Sequence, residues 1–199
     1  MEYSLYDNNG RRKYLVPLER DRFLQAALEV KGPTASFCVV LGLTGARISE
    51  ALALTPARID EANCSINFST LKQRDTRATR AVPVPRSLIL FLDGIHHFRE
   101  AQDDPARANQ RLWTWSRTTA WRRVKAVMRI ASAPHFVAMP KALRHAFGVE
   151  ATLENIGLTM VQRWLGHKDI KTTTIYTTVI GPEERVLAKR TWRGFWSGS

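Results

Sequence analysis

One interval, residues 58–85, constrains this chain more than any other. There the apolar residues alternate, with Ile66 and Phe68 on one side of one run and Val82 and Val84 in another, while the text on either side repeats at helical spacing. Period-two alternation marks a strand, and recurrence every three to four residues marks a helix. The pattern predicts a small antiparallel sheet, with a basic hairpin at 71–80, set into helices. The expected fold class is therefore mainly α with a small antiparallel β-sheet.

Upstream, Pro17-Leu18-Glu19-Arg20 opens a helical pattern with apolar positions at 23, 24, 27 and 28, and Pro17 suits a first turn, where no N–H is needed. A second apolar segment, 35–43, ends at Thr44-Gly45. Ile48, Ala51, Leu52 and Leu54 follow at helical spacing until Thr55-Pro56 stops them, which places Arg47 at a helix start beside a tight turn. Downstream the text predicts helices over 86–101, 118–131, 141–154, 159–166, 169–178 and 182–191. In 118–131, Trp121, Val124, Met128 and Ala131 form one stripe, and Arg122, Arg123, Lys125 and Arg129 lie largely elsewhere. That basic side reads either as a solvated face or as a DNA contact.

The 199 residues predict a single domain, with a polar lead over 1–16 and a terminal helix and tail over 182–199. Lysine and arginine number 30 against 18 acids, a formal charge of +12, so a polyanion, nucleic acid first, is the natural partner. Cys38 and Cys64 form no metal or disulfide pattern. The first ten residues lack the basic and then apolar character of a signal peptide, and no apolar run is long enough for a membrane span, so a soluble, cytoplasmic protein is expected. Neighbouring helix positions point apart, so His96 and His97 read as surface residues, and His145 reads as a packing or hydrogen-bonding residue.

Four separated blocks carry chemistry. They are Thr-Gly-Ala-Arg-Ile-Ser-Glu at 44–50, the basic hairpin around Lys72, Lys-Ala-Leu-Arg-His at 141–145, and Leu-Gly-His-Lys-Asp-Ile-Lys-Thr-Thr-Thr-Ile-Tyr at 165–176. In their order and spacing they resemble the tyrosine recombinase (phage integrase) family, over a stretch running from about residue 18 to about residue 192.

The resemblance implies metal-free and ATP-free cleavage of double-stranded DNA, with no cofactor. Tyr176 would attack the scissile phosphate, giving a 3′-phosphotyrosyl link and a free 5′-hydroxyl, and a second strand's hydroxyl would reverse the step. Arg47 and Arg144 would clamp the phosphate, for which a guanidinium's planar fork and permanent charge are suited. Lys72 would donate the proton to the leaving oxygen, His167 would bond the phosphate or the nucleophile, and Glu50 would act as a supporting acid. A tyrosine ionises near pH 10, about three units above neutrality, so the neighbouring cations are expected to favour its phenolate.

One position departs from the family pattern. Where members most often have histidine, this chain has Lys141, a donor to phosphate but a poor base. The family's N-terminal DNA-clamping domain has no counterpart in the text before Arg47, so the chain resembles a catalytic domain standing alone. An accessory DNA-binding protein and a homotetramer assembled on DNA, from a monomer or weak dimer, are the implied partners. The alternatives are a DNA-binding regulator that keeps the fold with little catalysis, and a stand-alone type IB topoisomerase.

Overall fold

The computed structural model describes residues 4–69, 79–179 and 181–191. In chain order its elements are α1 (Pro17–Glu29), α2 (Gly32–Thr44), α3 (Ile48–Leu52), β1 (Ile59–Asp60), β2 (Ser65–Ser69), β3 (Thr79–Pro83), α4 (Arg86–His96), α5 (Phe98–Gln102), α6 (Pro105–Ala108), α7 (Arg117–Ile130), α8 (Pro140–Leu153), α9 (Leu158–Leu165), α10 (Lys171–Thr174) and α11 (Pro182–Thr191), with 3-10 turns at Pro56–Arg58 and Ile175–Thr177. The mainly helical reading with one small antiparallel sheet holds.

Helix α2 is buried on nearly every side, from Ala35 through Leu41, as expected of a helix without a polar face. Helices α1, α4, α7 and α8 pack around it. The sheet runs in the order β1-β2-β3, all antiparallel, with Ile66 opposite Val82 and Phe68 opposite Arg80. Along β3 the alternation turns Arg80 and Val82 inward and Thr79, Ala81 and Pro83 outward.

Local chemistry redraws several expected boundaries. The helix expected over 86–101 divides at His97, whose left-handed backbone (φ 49°) closes α4 with an N–H bond to the carbonyl of Asp93. The Asp93 carboxylate then accepts the backbone N–H of Arg99 in the next helix. The helix expected over 169–178 is one short α-turn followed by a 3-10 turn. There the hydroxyls of Thr174, Thr177 and Thr178 bond back to the carbonyls of Lys171, Thr174 and Ile175 at 2.7–2.9 Å, competing with a regular helix.

Three readings of burial also change. His96 is half-buried, 2.8 Å from Ser36 Oγ and edge-on to Trp113, and burial, with the neighbouring His97, pushes it down to about 4. Trp121 is 44 % exposed under Lys125, and the buried stripe runs instead through Ala120, Val124, Val127 and Met128. The polar lead is tied down: Tyr6 bridges to Arg12, Arg12 pairs with Glu19 at 2.6 Å, and Leu5, Tyr14 and Leu15 are buried. Leu5 and Tyr14 join Val149, Val161, Leu165, Ile175, Tyr176 and Val179 in a second apolar cluster beside the main core. No helix among the described residues is long and apolar enough to cross a membrane.

Candidate functional site

The first part of the site is built on a turn. Gly45 takes a left-handed conformation (φ 62°) that ends α2, and Arg47 then caps α3. Three residues on, Glu50 points back: one oxygen accepts the backbone N–H of Arg47 at 2.7 Å and the other its guanidinium at 2.7 Å. The side chain of Arg47 keeps 32 % of its exposure while that of Glu50 keeps 1 %. A buried carboxylate needs ionic partners, and Arg80, inward on β3, supplies a second at 2.7 Å. Burial raises the Glu50 carboxyl, but the bonds and charges of Arg80 and Arg47 outweigh this and leave it below its ordinary value, hence ionised. Glu50 is therefore an interior residue.

Arg80 also donates from Nε to the carbonyl of Trp164 at 2.7 Å, and its guanidinium carbon lies 5.2 Å from the centre of the Phe68 ring. Gly166, left-handed at φ 64°, leaves room for it: a Cβ there would come within 2.9 Å of Arg80 Cδ.

Arg144 enters from α8, 7 % exposed. Its two terminal nitrogens donate to the carbonyl of Gly45 at 2.8 Å and to that of Leu165 at 2.6 Å, so one guanidinium joins the ends of α2 and α9. Burial and the nearby charge of Arg47 pull it down to about 9, so it stays cationic at neutral pH.

His167 follows the Gly166 turn and lies 2.9 Å through Nδ1 from Thr173 Oγ1. Its ring stacks on that of Tyr176, with centroids 6.2 Å apart and an interplanar angle of 13°. Burial, then Arg144 and Arg47, push it down to about 3, so it is neutral. Tyr176 itself has no exposure. Its ring lies against Gly148 of α8, where a Cβ would come within 2.4 Å of Cζ, and its hydroxyl is 3.4 Å from His145 Nδ1.

The sequence leads one to expect the cations to favour the phenolate. In this conformation the opposite holds: burial dominates over Arg144 and Arg47 and pushes Tyr176 up to about 12, so it carries its proton.

The structure thus brings Arg47, Arg144, His167 and Tyr176 together. Lys141 is exposed at the start of α8, one turn before Arg144, and makes no hydrogen bond or ion pair among the described residues. Lys72, with Arg74 and Arg77, lies outside the described residues. Sequence reasoning passed over Arg80, the last residue of the basic hairpin at 71–80, though its place two residues from Val82 on the inward face of a strand marks it. His145, read as a packing or hydrogen-bonding residue, is buried and is the neighbour of the Tyr176 hydroxyl.

Comparison with known proteins gives the family and the fold. The Phage integrase family model matches residues 13–180. The tyrosine recombinase XerD of Pseudomonas putida is 30% identical over 146 residues, 70% of this chain and 47% of that protein. XerA of Pyrococcus furiosus is 29% identical over 154 residues, 74% of this chain and 50% of that protein. The chain therefore spans about half the length of the relatives it matches. Among solved structures, that of XerA recombinase superposes with a TM-score of 0.73 at 22% identity, covering 89% of this chain and 64% of that one. That of XerH site-specific recombinase bound to its difH substrate gives 0.71 at 20%, covering 94% and 59%. With its family model matched across most of its length and its fold shared, the chain belongs to the phage integrase family of tyrosine recombinases.

Proposed function

We propose that the chain is the catalytic domain of a site-specific DNA recombinase that cleaves and rejoins strands through Tyr176. The observation that carries this is the meeting of Arg47, Arg144 and His167 around one tyrosine, from stretches far apart in sequence. XerH site-specific recombinase has been solved bound to its difH substrate and the Tn1549 transposon integrase in complex with transposon right end DNA, and the +12 formal charge suits such a polyanion here.

In this reading Arg47 and Arg144 hold the non-bridging oxygens of the scissile phosphate, and Lys141 adds a donor at the rim. The Tyr176 oxygen attacks phosphorus and loses its proton, the bond to the 5′-oxygen breaks, and that oxygen takes a proton from Lys72. Neutral His167 bonds the phosphate or receives the tyrosine's proton. The charge building on the phosphate is met by fixed cations, the usual largest contribution to such catalysis. Tyr176 must first leave its seat on Gly148, so the buried arrangement is a resting state. The domain acts in the cytoplasm on integration, excision or inversion of a mobile element or plasmid, as a tetramer on DNA with an accessory DNA-binding protein.

The burial of Tyr176 also favours a second reading, a DNA-binding regulator with little catalysis. Trapping separates the two. The protein is mixed with a library of nicked suicide duplexes, denatured, and covalently attached DNA is sequenced beside a Tyr176→Phe control. Adducts lost in the control support the enzyme, and their sequences give the site. Binding without adducts supports the regulator.

A further inference from the structure

We infer that Arg80 is a positioning residue for both phosphate-clamping arginines; the inference rests on the recombinase reading above. Its guanidinium reaches in two directions. Nη2 bonds the Glu50 oxygen that also accepts the Arg47 backbone N–H, so Arg80 fixes the carboxylate against which Arg47 is oriented. Nε bonds the carbonyl of Trp164, adjacent in the chain to the Leu165 carbonyl that holds Arg144. One side chain thereby registers the turn carrying Arg47 against the turn carrying Arg144.

The setting is costly. Arg80 is 6 % exposed, and its Nη1 is buried without a hydrogen-bond partner among the described residues. An apolar side chain in the slot between Phe68 and Gly166 would avoid that penalty, since buried ion pairs often contribute less to stability than hydrophobic residues of the same volume. What an apolar residue cannot supply is the two-way bond. Arg80 also stands on the second residue of β3, close after the stretch that bears Lys72, so the strand leaving that stretch is anchored at the clamp. Arg47 and Arg80 share the one carboxylate of Glu50, and Arg144 is held by carbonyls alone, which leaves the site cationic for a phosphate.

The test compares wild type, Arg80→Met and Glu50→Gln in covalent adduct formation and in DNA binding. Arg80→Met is expected to slow adduct formation by about 10²-fold with DNA affinity nearly unchanged, because affinity is spread over many phosphate contacts while the clamp bears on one. Adding Glu50→Gln should cost little more. A methylphosphonate at the scissile position, which lessens the charge to be clamped, should narrow the gap to wild type; a merely structural loss would not respond to the substrate. If Arg80→Met does not fold, Arg80→Lys carries the same comparison, since lysine keeps the charge but cannot bond Glu50 and Trp164 together.

Wild-type cleavage speed in a folded Arg80 variant, or full additivity with Glu50→Gln, overturns the inference. If wild type traps no DNA that Tyr176→Phe fails to trap, the recombinase reading falls instead. A separate readout then decides on Arg80: inorganic phosphate titrated into DNA-free protein and followed by phosphorus NMR line width. Weaker phosphate binding by Arg80→Met, as by Arg47→Ala, is expected, and line widths equal to wild type overturn the inference.

Discussion

The hydroxyl of Tyr176 lies 3.4 Å from Nδ1 of His145, with the flat of its ring against Gly148. The seat is an absence of side chain: a Cβ at residue 148 would sit within 2.4 Å of the ring, and a phenol cannot bend away. Gly148→Ala should expel the ring, lowering stability by about 1–3 kcal/mol as overpacking does. Tyr176 should then become open to nitration, and folded protein should form adducts sooner. Thermal unfolding, peptide mapping after nitration and initial adduct rates check the three parts, and unchanged nitration would refute the picture of a filled seat.

His145 makes stability depend on pH. Burial, then Lys141 and Arg144, hold it down to about 3 from its usual 6.5. The folded chain therefore refuses a proton that the unfolded chain accepts. Its contribution is complete above pH 6.5 and is lost as pH falls toward 3. Between pH 6.5 and 5 this residue should account for about 2 kcal/mol of lost stability, and His145→Gln should lose correspondingly less. Urea midpoints at pH 7.5 and 5 for the two proteins measure the difference.

Arg144→Lys should be far from conservative. The two carbonyl bonds at 2.8 and 2.6 Å diverge from one planar group, and an ammonium cannot make both in that geometry. Leaving one buried carbonyl unpaired should cost about 1–3 kcal/mol, and adduct formation should fall by about 10²–10³-fold. Chemical denaturation and single-turnover trapping check these, and retention of near wild-type cleavage would remove Arg144 from the clamp.

How much of this was legible beforehand divides by the range of the forces. The sheet at β2 and β3 and the helix starts at Pro17 and Arg47 follow from period and from proline and glycine, which act locally. Arg47, Arg144 and Tyr176 were singled out through the resemblance of their motifs to the family's, and the structure brings them together. The direction of the Tyr176 shift was not, because spacing gives neighbours in charge but not the depth of burial, and burial prevails. Arg80 was obscured for a related reason. Its partners, Glu50 and Trp164, are 30 and 84 residues away, and the strand alternation that turns it inward names neither of them.

Lys141 offers a clean separation of stability from chemistry. It is exposed and makes no hydrogen bond or ion pair among the described residues, so Lys141→Ala should change folding stability by less than about 0.5 kcal/mol. A fall in adduct formation in that variant would then belong to the reaction itself. Equal cleavage by the variant would show that the proposed clamp works without a donor at this position.

The anchoring of Arg144 has one more consequence. Its two bonds go to peptide carbonyls at the C-terminal ends of α2 and α9, where the backbone presents partial negative charge, and not to a carboxylate. A cation held by a carboxylate meets DNA already neutralised, and must trade one anion for another before it can bind. Arg144 is held rigid by neutral groups and arrives with its charge intact, so the phosphate would be an added partner and not a replacement.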